Sequence, residues 1–206
     1  PSPAAGGSAF LADGVTHMPA GSPASACRPL WFTGDRTPID IGFGFFIQGN
    51  IPTAKRHRRE LGFLKPLMRR AFLERHGLAY DETMRLGEDY DLYARALSLG
   101  GRMRLIPWVG YVSVKRRDSL SAVHSRQDLV ALEAADDRLL ASDRIKASEK
   151  WLVREHRFTT RSRIVWIDFM ETLKSGKPFR ALGIMLRDPR QAPFVLRGLG
   201  KIFVRL

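Results

Sequence analysis

Leu86-Gly87-Glu88-Asp89-Tyr90-Asp91 constrains this 206-residue chain more than any other stretch, because it opens a helix and gathers carboxylates at its start. A glycine precedes the acids, Leu92, Tyr93, Ala96, Leu97 and Leu99 follow at helical spacing, and Gly100-Gly101 ends the pattern. The acids fall in the first turn, where free amide donors and the helix dipole favour the ionised form of a carboxylate. Glu88 and Asp89 are therefore expected to stay charged, the state a general base needs. The same placement has a purely structural reading, since acids at a helix start complement its dipole. Asp89-Tyr90-Asp91 has the letters of a D-x-D metal triplet, but residues i and i+2 of a helix point to nearly opposite sides. The two carboxylates are not expected to share an ion.

With 44% apolar and 27% charged residues, the chain has the composition of a globular protein, with room for one domain and part of a second. Its apolar runs, such as Gly42-Phe43-Gly44-Phe45-Phe46-Ile47, are far shorter than the roughly 18 residues of a spanning helix. The chain opens on Pro1 without the basic start and apolar core of an export signal, so an upstream portion is expected. Cys27 is the one cysteine, which excludes an internal disulfide or a cysteine-based metal site and suits a reducing compartment. The formal charge of +13 is uneven: residues 1–48 carry −1 and the remainder +14, concentrated at 55–75 and 174–205. Such patches suit phosphate groups, nucleic acid or an anionic membrane, and also serve as solvated faces.

Three stretches organise the chain: a loop- and strand-rich part at 1–48, a central part at 49–126 and a basic helical part at 127–206. Residues 1–29 read mostly as loop, with Phe10-Leu11-Ala12-Asp13-Gly14-Val15 strand-like up to a turn. Residues 39–48 read as an apolar strand broken by Gly42 and Gly44. A helix is expected within 65–77, from Pro66 to Gly77, with Leu67 and Ala71, and Met68 and Phe72, as inward-facing i, i+4 pairs. Arg69 and Arg70 then sit at the end that the dipole disfavours for cations, which suggests a nearby anion or plain solvation. Met103-Arg104-Leu105-Ile106 and residues 108–114 read as two strands separated by Pro107, delivering Lys115-Arg116-Arg117 to a loop. Ser125 followed by Asp128 resembles a capping box, with Asp in place of the usual Glu or Gln, so a helix is expected to start there. Farther on, a buried segment from Ile164 to Leu173 stops at Gly176-Lys177-Pro178. Apolar pieces interleaved with Arg180, Arg187, Arg190, Arg197, Lys201 and Arg205 follow, fitting an interfacial amphipathic helix and a surface helix equally well.

The histidines form no zinc pattern. His124, just past Arg116-Arg117, is the one placed to approach a diphosphate, although a structural role carries more weight. Ser119 and Ser121 lack a G-x-S-x-G context, and glycine-rich phosphate loops of the Walker or dinucleotide type are absent.

Gly62-Phe63-Leu64-Lys65-Pro66-Leu67-Met68-Arg69-Arg70-Ala71-Phe72-Leu73, His76-Gly77-Leu78 with Tyr80-Asp81-Glu82, Gly87-Glu88-Asp89-Tyr90-Asp91-Leu92-Tyr93, residues 96–101 and Arg117-Asp118-Ser119-Leu120-Ser121 follow one another in an order and spacing that resembles the second half of a family 2 glycosyltransferase. The likeness is to enzymes of succinoglycan-type exopolysaccharide assembly. It runs from about 49 to 124, is weak before that and is not seen after about 141. It implies an α/β fold with a partial GT-A-like domain, to which the helical pattern of 127–206 adds a C-terminal extension. It further implies an inverting transferase in which Asp89 takes a proton from an acceptor hydroxyl while Glu88 orients it or binds acceptor. In this picture Arg116 and Arg117 stabilise the departing diphosphate, and Lys65, Arg69 and Arg70 line the acceptor or phosphate side.

A nucleotide sugar, with UDP-hexose as the expected donor, a lipid-linked saccharide acceptor and a divalent cation (Mg or Mn) with ligands mostly outside this chain are implied as well. So is a cytoplasmic location at the inner face of the plasma membrane. The nucleotide half of such enzymes, with its strand ending in D-x-D, is not among these residues, so the chain is expected to be a fragment inactive by itself. The rival is a basic module that binds nucleic acid or a membrane surface without catalysis. No zinc-finger or RNA-recognition signature supports nucleic acid as a partner, and three acids, Glu88, Asp89 and Asp91, sit in the middle of the motif.

Overall fold

A computed structural model of the chain describes residues 9–21, 23, 25, 28–29, 37–52, 61–115 and 124–203. Arg116, Arg117 and the basic cluster at 55–59 lie outside the described residues. The elements run β1 (Phe10–Pro19), β2 (Arg28–Pro29), β3 (Ile39–Ile41), α1 (Phe43–Asn50), a 3-10 turn (Leu61–Phe63), β4 (Leu67–Met68), α2 (Arg70–His76), α3 (Glu88–Ser98), β5 (Met103–Lys115), α4 (Arg126–Ala141), α5 (Lys150–Lys174), α6 (Pro178–Arg187), a second 3-10 turn (Pro189–Gln191) and α7 (Ala192–Phe203). The chain is thus mixed α/β, as expected.

Among the described residues the sheet has five strands, centred on a parallel β1–β5 pair. A parallel pair needs a long crossover, and the segment holding α1, α2 and α3 provides it. β3 runs antiparallel to β5, while β2 and β4 pair antiparallel with opposite ends of β1. Residues 103–114 form one strand and not two. The register slips where Gly14 pairs with Val109, which leaves Pro107 in a bulge where its missing amide is tolerated. A side chain at Gly14 would lie 3.0 Å from the Trp108 carbonyl oxygen, so glycine permits this close approach. The same bulge absorbs the Asp13-Gly14 turn signal, and β1 continues to Pro19 where loop was expected.

Two further expectations are corrected. Residues 39–48 are not one strand: Ile39–Ile41 pairs with β5, and α1 begins after Gly42. Phe43, Phe46 and Ile47, at helical spacing, are the buried apolar residues of α1, and a short apolar run does not reveal by itself which period it follows. The helix expected from Pro66 starts only at Arg70, because Leu67 and Met68 pair with Leu11 and Phe10 and the Arg69 amide donates to the Ala9 carbonyl at 2.8 Å. Leu67 consequently faces solvent, although Gly77 does end the helix.

The main core joins Phe10, Met103 and Leu105 of the sheet to Phe46, Leu92 and Tyr93, and to Leu132, Leu139, Leu152 and Val153 of α4 and α5. A second, smaller cluster holds the far half of α5 (Val165, Phe169) against Ala181 of α6 and Val195 of α7. No helix among the described residues is long and apolar enough to cross a membrane.

Candidate active site

The helix that carries the acids begins as its sequence dictates. Gly87 adopts φ +81°, a left-handed conformation that costs glycine little, and a side chain there would lie 2.8 Å from Leu132 Cδ1. Glycine therefore turns the chain and lets α4 approach. Glu88, Asp89 and Asp91 occupy the first turn of α3. Asp91 points inward, accepting from Arg95 Nε at 2.8 Å and lying 3.5 Å from an Arg138 guanidinium nitrogen. Asp89 points the other way, so the two carboxylates diverge. Among the described residues no group of three His, Cys, Asp or Glu side chains is gathered to hold a metal ion.

Around Asp89 three side chains converge. Lys65 Nζ lies 2.5 Å from Oδ2, and the hydroxyls of Tyr80 and Tyr93 donate to Oδ1 at 3.0 and 3.3 Å. Lys65 is placed by its neighbours: Leu64 and Pro66 on either side are buried, which directs the lysine outward. Burial first, and then the negative charge of Asp89, raises both phenols above their ordinary pKa. Both hydroxyls consequently remain protonated. Tyr93 is fixed further by its proximity to the Leu64 carbonyl, 3.1 Å from its hydroxyl. The outer side of the site is open, since the Asp89 side chain keeps 17% exposure and that of Lys65 46%. Phenolic donors thus hold one carboxylate oxygen while the other faces a cation near solvent.

Of the residues singled out from sequence, the structure brings Lys65 and Asp89 together. Glu88 is half-buried beside them and has no hydrogen-bond or ion-pair partner among the described residues. Arg69 is exposed at the start of α2, and Arg70 is drawn to Glu74 on its own helix at 2.7 Å. His124 is half-buried next to Ser125, the α4 cap. Tyr80 and Tyr93 were not singled out. Tyr93 stands i+4 from Asp89, a spacing that would have found it; no local rule would have found Tyr80.

Behind α3 lies a second polar group. Tyr90, between the two aspartates, is buried and donates to Asp136 Oδ1 at 2.8 Å, and Asp136 Oδ2 lies 2.8 Å from His156 Nδ1. The Tyr90 ring stacks on His156 at 4.3 Å and on Phe46 at 5.7 Å. Burial, with Asp136 adding to it, pushes the Tyr90 phenol well above its usual pKa, so it stays a donor. This joins α3 to α4 and α5 and fixes the rotation of α3 that turns Asp89 outward. At the start of α4 the expected capping box forms between Ser125 and Asp128, and Arg85 closes a bidentate pair onto Asp128.

Comparison with known proteins gives two relatives, both from Rhizobium meliloti (strain 1021). The chain is 43% identical over 194 residues to the succinoglycan biosynthesis protein ExoU, covering 92% of the chain and 55% of that protein. It is 33% identical over 154 residues to the succinoglycan biosynthesis protein ExoO, covering 75% of the chain and 42% of that protein. The succinoglycan likeness is thereby shown, and it reaches beyond residues 49–124, the span over which the motifs carry it. The chain spans about half the length of these relatives. No family model and no solved structure matches it.

Proposed function

We propose that this relative of the succinoglycan biosynthesis proteins is the acceptor half of an inverting family 2 glycosyltransferase of exopolysaccharide assembly, with a GT-A-like fold and with Asp89 as general base. The observation that carries the proposal is the setting of Asp89: a carboxylate at a helix start, oriented by two tyrosine hydroxyls, open on the side that Lys65 covers. An acceptor hydroxyl displaces Lys65 from Oδ2 and is deprotonated there as its oxygen attacks the anomeric carbon of the donor. The bond from that carbon to the nucleotide diphosphate breaks, and the diphosphate leaves with the electron pair. Lys65, half exposed on a flexible stem, moves to the acceptor, and Glu88 supplies a further acceptor contact. Arg116 and Arg117 are assigned to the developing charge on the diphosphate.

The donor is a nucleotide sugar of the uridine diphosphate hexose type and the acceptor a lipid-linked saccharide on the cytoplasmic side of the membrane. The donor-binding residues, and those that hold a divalent cation, are assigned to the part of the protein that corresponds to the rest of its relatives' length. Assays of the full-length protein and of residues 1–206 alone, each with nucleotide sugars and lipid-extract acceptor, test this reading. Turnover is expected from the long protein only and is lost with Asp89→Asn. Substantial turnover by the short chain would refute the division of labour, and an active Asp89→Asn protein would refute the base.

A further inference from the structure

We propose that α6 and the start of α7 form a docking surface for an anionic lipid bilayer. Ala181, Ile184 and Met185 on one side of α6 pack into the small core with α5, the ordinary fate of an amphipathic helix. Yet Phe179, Leu182 and Leu186, which share the other side at i, i+3 and i+7, are 89%, 44% and 60% exposed, and Leu196 on α7 is 57% exposed. The helix is thus apolar on a second face that no described residue covers.

The charge beside this ridge identifies its occupant. Residues 174–203 hold seven basic residues and one acid, Asp188, and Arg190 takes up that acid at 2.9 Å. Among the described residues Lys177, Arg180 and Arg187 have no carboxylate partner. An apolar ridge flanked by such cations matches the boundary between headgroups and acyl chains, where Phe and Leu enter the apolar layer and arginine stems reach up to phosphates. A second copy of the chain would cover the ridge but set two strongly basic faces against each other. A nucleic acid would neutralise the arginines and leave Phe179 in water. α6, with ten residues, is too short to span a bilayer, so it lies on the surface.

The test is independent of sugar transfer. The chain is floated with vesicles of phosphatidylcholine alone and of phosphatidylcholine containing phosphatidylglycerol, as wild type, as Phe179→Ser/Leu182→Ser/Leu186→Ser and as Arg180→Glu/Arg187→Glu. Wild type is expected to float with the anionic vesicles only, less so at high salt, and either variant to lose at least about tenfold of the bound fraction. The substituted side chains are exposed, so the thermal midpoints should stay together; the charge-reversal variant keeps the ridge intact should the serines perturb folding. Equal flotation of all three proteins, equal binding to neutral vesicles or no flotation of wild type would overturn the proposal. A dimer abolished by the serine variant, without vesicle binding, would overturn it in favour of self-association.

Discussion

Lys65 and Asp89, 24 residues apart in sequence, meet as an ion pair of 2.5 Å at the mouth of the site. Because Lys65 is half exposed, solvent screens the pair and its contribution to stability is small, about 0–1 kcal/mol. In the proposed function its value is chemical: it is a cation that an incoming hydroxyl replaces. Lys65→Ala should leave the urea midpoint nearly unchanged while reducing acceptor kcat/KM of the full-length enzyme about tenfold. Asp89→Asn, which removes the proposed base, should cost at least about 10²-fold in kcat. A lysine variant as damaging as the asparagine variant would mean that Lys65 does more than wait for the acceptor.

Tyr80 separates orientation from surface contact. Its hydroxyl donates to Asp89 at 3.0 Å while its ring stays partly exposed. Tyr80→Phe keeps the ring and should lower kcat by a factor of about 3–10 with little change in acceptor KM, the loss of one hydrogen bond of about 1 kcal/mol. Tyr80→Ala should raise the acceptor KM as well. Identical kinetics for the two would exclude a role for the ring.

At Gly87 a left-handed φ of +81° and the 2.8 Å approach to Leu132 act together. Gly87→Ala should destabilise the protein by about 1–3 kcal/mol in urea unfolding, the cost of the backbone conformation plus displacement of a leucine methyl. Leu132→Ala, which costs core packing in itself, should destabilise the Gly87→Ala protein less than it does wild type, the difference being the relieved clash.

Asp128 carries an acid-sensitive share of stability. Hydrogen bonds from Arg85, and after them from Ser125, hold its carboxyl well below the ordinary carboxylate pKa, against the opposing effect of burial. A depressed folded-state pKa stabilises the fold above the unfolded value, near 4, and that contribution drains away as pH falls below it. Thermal midpoints measured downward from neutral pH should therefore drop more steeply below about pH 4 in wild type than in Asp128→Asn. The variant itself should be less stable at neutral pH by roughly 1–2 kcal/mol through the weakened cap.

Asp136 is fully buried between Tyr90 and His156, so Asp136→Ala leaves two buried polar groups without their partner. Roughly 2–4 kcal/mol of stability should be lost, read by urea unfolding, and Asp136→Asn should recover part of it.

Short-range chemistry was decided by the sequence alone. The glycine that starts α3, its first-turn acids, the Ser125–Asp128 box and the end of α2 at Gly77 rest on contacts between residues at most four apart. The divergence of Asp89 and Asp91 follows from the same helical geometry. Periodicity tells which side of an element is to be covered, but not by what. Whether Phe43 to Ile47 would be strand or helix, and that Lys65 and Tyr80 would reach Asp89, depended on how the parallel β1–β5 pair gathers distant segments. The Asp136–His156 contact, formed across α4 and α5, also belongs to the tertiary structure. So does the outer ridge of α6: residues that composition marks as apolar became an exposed surface only because the opposite side of the helix was taken by the core.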